Sequence, residues 1–285
     1  MRRNAFAAAF ASLIAAFAPA HAAPAAGPAP ADFRPVDAAN TVVIDTNQGR
    51  VVVELYPLIA PQSVARIETL ARQHFYDGQT FFRVIDGFMD QTGDPTNTGQ
   101  GASTLPNLPA EFDFRYTPGR DVSEVSAIPE GMVGFVGALP VVGQPDAMAD
   151  LTADGKVRAF ALFCPGVIGM ARAEAPDSGN SQFFLMRAEN LGLNEKYTAF
   201  GRVIAGEDVV RKIKTGDPVA DPRDVMATVR VLADMPPDSR PSLEILDTSS
   251  AYFRSVAAAA RAAKKDAFDP CALDIPVRPG GGAAG

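Results

Sequence analysis

A β-branched run opens the regular part of the chain. Thr41-Val-Val-Ile-Asp-Thr46 is strand-like, Asn47-Gln48-Gly49 supplies a turn, and Arg50 to Tyr56 continues as a second strand. That order predicts a β-hairpin, ended by Pro57 and Pro61. The period then changes. Val64, Ile67, Leu70 and Ala71 fall on one face at helical spacing, so Pro61 to His74 predicts a helix. Pro61 suits its first turn, and Tyr76-Asp77-Gly78 stops it.

Thr80 to Ile85 and Phe88 to Thr92 read as strands around a turn at Asp86-Gly87. Residues 93–109, rich in Gly, Thr, Asn and Pro, read as loop. Residues 113–157 show no clear period and contain Gly131, Gly134, Gly137, Pro140 and Gly143, so the expectation there is a long irregular insertion. Those glycines do not make a phosphate loop, because no strand–loop–helix context surrounds them and no Lys-Ser/Thr follows. Strands resume at Arg158–Phe163, Gly166–Ala171, Gln182–Arg187 and Thr198–Ile204. A short helix at Glu207–Lys214 carries acids in its first turn and lysines in its last, as the helix dipole favours. Val225–Leu232 is a further strand, and a C-terminal helix is expected over 249–268 before a Gly/Pro tail. About eight short strands with two helices suit a sandwich or a small closed barrel.

The 285 residues are 47% hydrophobic and 21% charged, which supports a packed core and excludes global disorder. The formal net charge is −7, with 26 Lys and Arg against 33 Asp and Glu. An acidic chain without a basic block is poorly suited to nucleic acid or an anionic membrane, so neither is expected as a partner. Histidine occurs only at 21 and 74, and cysteine only at 164 and 271. An all-cysteine zinc site is impossible and the spacing excludes a mixed finger, so no metal or other cofactor is expected.

The N-terminus adds a compartment. Arg2 and Arg3 precede an apolar run from Ala5 to Ala18, and Ala20-His21-Ala22 provides the small-x-small pattern that signal peptidase reads. Residues 1–22 are expected to be a cleavable secretory signal peptide, since the apolar run is too short to span a bilayer. Cleavage after Ala22 would remove two arginines and no acid, taking the charge from −7 to −9 and leaving His74 as the single histidine. Residues 23–40 read as a Pro/Ala linker with nothing to pack, 41–233 as the main domain, and 234–285 as a C-terminal extension. Cys164 and Cys271 are candidates for a disulfide because exported chains oxidise their thiols; the sequence leaves their pairing open.

Arg83 carries the first chemical signal. Its strand is apolar on both sides, with Phe81, Phe82, Val84 and Ile85, and a charge placed there must be paired or face a cavity. The plainer reading is an edge-strand arginine reaching solvent. Met89 and Gln91 share one face of the next strand, and Gln182 and Phe184 share a face of a later one. Met89 and Phe184 alone would read as core, but a buried glutamine must find partners.

Together these residues match a pattern. Phe81-Phe-Arg-Val-Ile-Asp-Gly-Phe-Met-Asp-Gln-Thr-Gly-Asp94 resembles the F-x-R-(I/V)-I-x-G-F-x-x-Q-G-G-D signature of the cyclophilin family of peptidyl-prolyl cis-trans isomerases. Gly166-Val-Ile-Gly-Met-Ala171, Asn180-Ser-Gln-Phe-Phe-Leu185 and Leu193-Asn-Glu-Lys-Tyr-Thr-Ala-Phe-Gly201 resemble three further segments of that family, in the same order. The resemblance covers 41–232. It implies a mainly β fold, a closed eight-stranded antiparallel β-barrel capped by two α-helices, with the site on the barrel's outer face and the C-terminal helix beyond it. It implies Arg83 as the catalytic residue with Gln91 beside it, and a substrate pocket of Phe88, Met89, Gly99, Ala171, Arg172, Ala173, Gln182, Phe184, Leu193 and Tyr197. The chain departs from the pattern at Gly192, where the family often has Trp, at Tyr197 for the usual His, and at Arg172 for the usual Asn. These departures bear on substrate preference rather than on the chemistry.

That chemistry needs neither metal nor nucleophile. Rotation about an X-Pro bond is opposed by a resonance barrier of about 18–20 kcal/mol. A guanidinium aimed at the prolyl nitrogen can bond its lone pair only once the amide twists, which lowers the barrier selectively. The expectation is an exported, periplasmic, monomeric prolyl isomerase acting on proline-containing polypeptides. The alternative is a non-catalytic peptide-binding or chaperone module using the same pocket. Arg83 with Gln91 favours the enzyme, since a binder needs only the apolar cup. A hydrolase is disfavoured by the lone His74 at the end of a predicted helix.

Overall fold

A computed structural model describes residues 27–129 and 131–280; the expected signal peptide, residues 1–22, lies outside the described residues. The strands are β1 (Phe33–Pro35), β2 (Thr41–Thr46), β3 (Gly49–Leu55), β4 (Arg83–Ile85), β5 (Met89–Thr92), β6 (Phe114–Tyr116), β7 (Ser123–Ile128), β8 (Gly131–Val136), β9 (Leu139–Gly143), β10 (Val157–Ala161), β11 (Val167–Met170), β12 (Phe183–Met186), β13 (Ala199–Ala205), β14 (Met226–Val231), β15 (Leu243–Leu246) and β16 (Val277–Pro279). The α-helices are α1 (Pro61–Arg72), α2 (Glu207–Lys212) and α3 (Ala251–Lys264).

Eight strands make the main antiparallel sheet in the order β14-β2-β3-β13-β11-β12-β5-β4. It curls around a core that holds Tyr76, Phe81, Phe183 and Phe200, all essentially buried. The edge strands β4 and β14 share no ladder; the segments leading into them meet at an isolated bridge from Thr80 to Val225, with backbone bonds from Phe81 N to Asp224 O, Met226 N to Gln79 O and Gly78 N to Met226 O. Gly216 takes the outer edge of β4 instead, exchanging both backbone bonds with Val84 at 2.8 Å each. The closed barrel expected from sequence is thus corrected to a curled, open eight-stranded sheet.

Helix α1 packs on β13 and β14 through Val64, Ile67, Leu70 and Ala71, the face read from sequence. Ala60 precedes it and offers no side-chain cap. Glu111 supplies one from a distance, accepting from the backbone N of Gln62 at 2.8 Å and of Ser63 at 2.9 Å. One carboxylate so satisfies two orphan donors and complements the positive end of the helix.

The segment 113–157 is not irregular. It forms most of a second antiparallel sheet, β6-β10-β9-β8-β7, and β10 belongs here rather than to the main body where Arg158–Phe163 was expected. Strand β8 is buried at every position, so it has no polar face and no alternation. Its central glycine, Gly134, serves packing: a Cβ there would lie 2.6 Å from Val122 Cγ1 and 2.9 Å from the Ser123 carbonyl.

The supposed linker is also structured. Strand β1 pairs with β15, and β15 with β16, in a third sheet that joins the first and last strands of the described residues. Arg34 on β1 forks onto Glu54 of β3 at 2.7 and 2.8 Å, and Tyr56 Oη donates to the same carboxylate at 2.8 Å. The Tyr56 oxygen in turn accepts from Ala138 N in the β8–β9 turn at 2.9 Å. One buried carboxylate thereby ties all three sheets together, through three charge-assisted bonds and one neutral one. Helix α3 covers a small separate core in which Phe135 and Phe253 meet edge to face at 5.2 Å. Cys164, fully buried before β11, is bonded to Cys271 beyond α3, which closes a loop with a sequence separation of 107. Among the described residues no helix is long and apolar enough to cross a membrane.

Candidate functional site

Four strands carry the site in register. Arg83 on β4 stands opposite Gln91 on β5, Gln91 opposite Phe184 on β12, and Phe184 opposite Gly169 on β11. Opposed residues share a face of the sheet, so Arg83, Gln91 and Phe184 lie side by side, and Met89 joins them by the two-residue period. Gly169 leaves room for aromatic rings: a Cβ there would sit 2.5 Å from Phe184 Cζ and 2.7 Å from Phe163 Cε1. Phe184 stacks on Phe163 at 5.9 Å and meets Tyr197 edge-on at 5.9 Å.

Arg83 is partly exposed, with 37% of its side-chain surface open. Its Nη1 donates to Gln91 Oε1 at 3.2 Å and its Nε to Asp217 Oδ2 at 3.1 Å. Gln91 Nε2 donates onward to Gln182 Oε1 at 3.0 Å. Gln182 Nε2 then donates to the carbonyls of Gly99, at 3.1 Å, and Gly101, at 2.8 Å. Each amide has one acceptor end and one donor end, so the guanidinium at the start of the relay fixes the orientation of both glutamines.

Asp94 shapes the loop at the end of this relay. It is fully buried and accepts from the backbone N of Thr96, Thr98 and Gly99. Burial alone would push its carboxyl up, but the backbone and hydroxyl donors of Thr96 and the backbone donors of Gly101 and Gly99 outweigh it and hold the group below the usual carboxylate range. Gly99 adopts φ +87°, a left-handed conformation that suits glycine.

The predicted residues gather in two adjoining cavities. Arg83, Phe88, Met89, Gln91, Ala171, Arg172, Phe184, Leu193 and Tyr197 line one of about 190 Å³. Gly99, Ala173 and Gln182 line a second, of about 370 Å³, which shares Gln91, Ala171 and Arg172 with the first. A cavity of about 630 Å³ between α1 and β14 contains none of them. Its arginines are all engaged, Arg50 with Asp45, Arg72 with Glu68 and Asp234, and Arg230 with Asp77. His74 lies there, exposed, with Nδ1 3.2 Å from Asp77 and away from Arg83's cavities.

Sequence reasoning missed Asp217 and Phe112. Asp217 reaches Arg83 only because Gly216 bridges Val84, a contact across more than a hundred residues with no local signal. Phe112 lies 5.7 Å from the Arg172 guanidinium, just before the segment 113–157.

On the opposite face of β5, Asp90 is fully buried, with Arg187 Nε 3.0 Å away but too oblique for a hydrogen bond. Burial pushes the Asp90 carboxyl up to about 7, against the pull of Arg187 and with the help of Asp86 and Asp224. The folded protein therefore holds this proton more tightly than the unfolded chain. The resulting stability is full below about pH 4 and is lost as pH rises through about 7. Urea unfolding from pH 5 to 8 is expected to show stability falling with pH, and Asp90→Asn is expected to flatten the fall. Equal slopes for the two proteins would refute the assignment.

Comparison with known proteins gives a consistent picture. A family model described as cyclophilin type peptidyl-prolyl cis-trans isomerase/CLD matches residues 41–233. A probable peptidyl-prolyl cis-trans isomerase of Brucella suis biovar 1 is 35% identical over 191 residues, covering 63% of this chain and 74% of that protein. The peptidyl-prolyl cis-trans isomerase-like 1 protein of Gibberella zeae is 30% identical over 194 residues, covering 66% of this chain and 93% of its own. The crystal structure of cyclophilin AquaCyp293 from Hirschia baltica superposes with a TM-score of 0.78 at 31% identity, over 88% of this chain and 95% of that one.

Proposed function

The chain belongs to the cyclophilin-type peptidyl-prolyl cis-trans isomerase family, and from that premise we propose that Arg83 catalyses the rotation by bonding the prolyl nitrogen of a twisted amide. The observation that carries this reading is the state of the guanidinium. Gln91 holds Nη1 and Asp217 holds Nε, while Nη2 has no protein acceptor among the described residues and belongs to the side chain that borders the smaller cavity. Phe88, Met89, Phe184 and Leu193 supply the walls for a proline ring. In the planar ground state the nitrogen lone pair is delocalised and offers nothing to a donor. In the twisted state it becomes an acceptor, so a donor fixed in advance favours that state alone. Arg suits the task because its charge is permanent and its fork is rigid.

Exchange spectroscopy on an Ala-Pro peptide tests the activity. Catalytic amounts of protein are expected to shorten an exchange that otherwise takes tens to hundreds of seconds. Binding without any acceleration would replace this reading with that of a peptide-binding module. The same proposal places the enzyme in the periplasm, acting on exported polypeptides. The N-terminal charge and hydropathy pattern and the Cys164–Cys271 bond support that compartment, since disulfides persist where thiols are oxidised. N-terminal sequencing of protein from its host should begin at Ala23, whereas Met1 or Arg2 at the terminus would overturn the compartment.

A further inference from the structure

We propose that Arg172 selects substrates carrying an acidic side chain at the residue that enters the second cavity while the proline occupies the first; this rests on the isomerase reading above. Arg172 borders both cavities and is, among the described residues, the only charged one lining the second. Among the described residues no carboxylate lines either one. Two neighbouring arginines are matched by acids, Arg83 by Asp217 and Arg158 by Asp113 and Glu195, while Arg66, outside both cavities, bonds the carbonyls of Asn180 and Pro106. Arg172 forms no ion pair among the described residues. Its Nε donates to the Lys196 carbonyl at 2.9 Å, and its Nη1 to the carbonyls of Ala173 and Glu174 at 3.0 Å each. The guanidinium carbon sits 4.5 Å from the centroid of the Tyr197 ring.

These contacts hold the side chain in place without cancelling its unit charge. Carbonyl dipoles orient a cation, whereas only an anion neutralises it. Nη2 donates to no protein group among the described residues, so one edge of the fork is open to a ligand. The two cavities share Gln91, Ala171 and Arg172, so a peptide with its proline in the first passes directly over Arg172 into the second. A fixed, half-buried and unneutralised guanidinium in an otherwise neutral cavity favours a carboxylate and penalises an ammonium.

The test is kcat/KM by exchange spectroscopy on proline peptides that carry Glu, Gln or Lys at each flanking position in turn. For wild-type protein one position is expected to rank Glu over Gln over Lys, with Glu about fivefold above Gln at low salt. The preference should shrink at 1 M salt, where screening acts within about 3 Å. Arg172→Gln should abolish the Glu over Gln ratio, and Arg172→Glu should invert the Glu and Lys order. Should Arg172→Glu fail to fold, Arg172→Gln and the salt dependence of the wild type still decide. If Arg172 merely clasps its loop, the variants lower all peptides by a common factor and keep the ratios, which overturns the proposal. Equal wild-type rates on Glu and Gln peptides overturn it too and leave the isomerase reading standing. No acceleration of any peptide removes both.

Discussion

Arg83→Ala is expected to lower the isomerisation rate about tenfold to a hundredfold while peptide affinity stays within a few-fold of wild type. The lost interaction is one charge-assisted hydrogen bond to the prolyl nitrogen, about 1.5–3 kcal/mol, and it exists only in the twisted state. The apolar walls bind planar and twisted amides alike, so they set affinity rather than rate. The fold should tolerate the change. Arg83 sits on a three-residue strand, is 37% exposed, and leaves behind no buried partner that solvent cannot reach. Arg83→Lys should recover little, because one ammonium cannot hold Gln91 and Asp217 and still point at the nitrogen. Exchange spectroscopy reports rate and affinity in one experiment. A wild-type rate in Arg83→Ala would show that the guanidinium is not the catalyst.

Reduction of the Cys164–Cys271 bond is expected to cost about 3–5 kcal/mol of folding stability. In the chain-entropy model a cross-link spanning a hundred residues removes about that much freedom from the unfolded state. The bond also fixes the C-terminal extension, whose small core under α3 is held by few residues. Urea unfolding with and without a reductant, and of a Cys164→Ala/Cys271→Ala double variant, measures the effect as a shift in midpoint. Two free thiols in the unfolded, non-reduced protein, or an unchanged midpoint on reduction, would rule out the assignment.

The main sheet and α1 were legible because their residues obey simple periods. Val64, Ile67 and Leu70 face one way along a helix, and the strands around Asp86-Gly87 are separated by a turn pair. Arg83 was legible because a charge in an apolar strand needs a reason, and the relay through Gln91 to Gln182 is that reason. The second sheet was not legible. A strand buried on both faces, as β8 is, shows no alternation, and glycines placed for close packing look like glycines placed for flexibility. Strand β1 is three residues long in a proline-rich stretch and gains its structure from β15 and Glu54, which lie far off in the sequence. Asp217 was invisible for the same reason. Closure of the barrel was inferred from resemblance, and the competing claim of Gly216 on the edge of β4 could not be read from local pattern.

The pairing of early strands with late ones sets a timetable for synthesis. Strand β2 takes β14 as its outer neighbour, and β1 takes β15, so the first strands made must wait for nearly the last. At about 5–20 residues per second, the roughly 180 residues between β2 and β14 take on the order of 10–40 s to emerge. During that interval Val42, Val43 and Ile44, all buried in the finished fold, sit on a strand whose outer edge has no mate. An apolar strand with a bare edge is a template for aggregation. The isomerase's own chain thus carries an unpaired apolar edge through most of its synthesis.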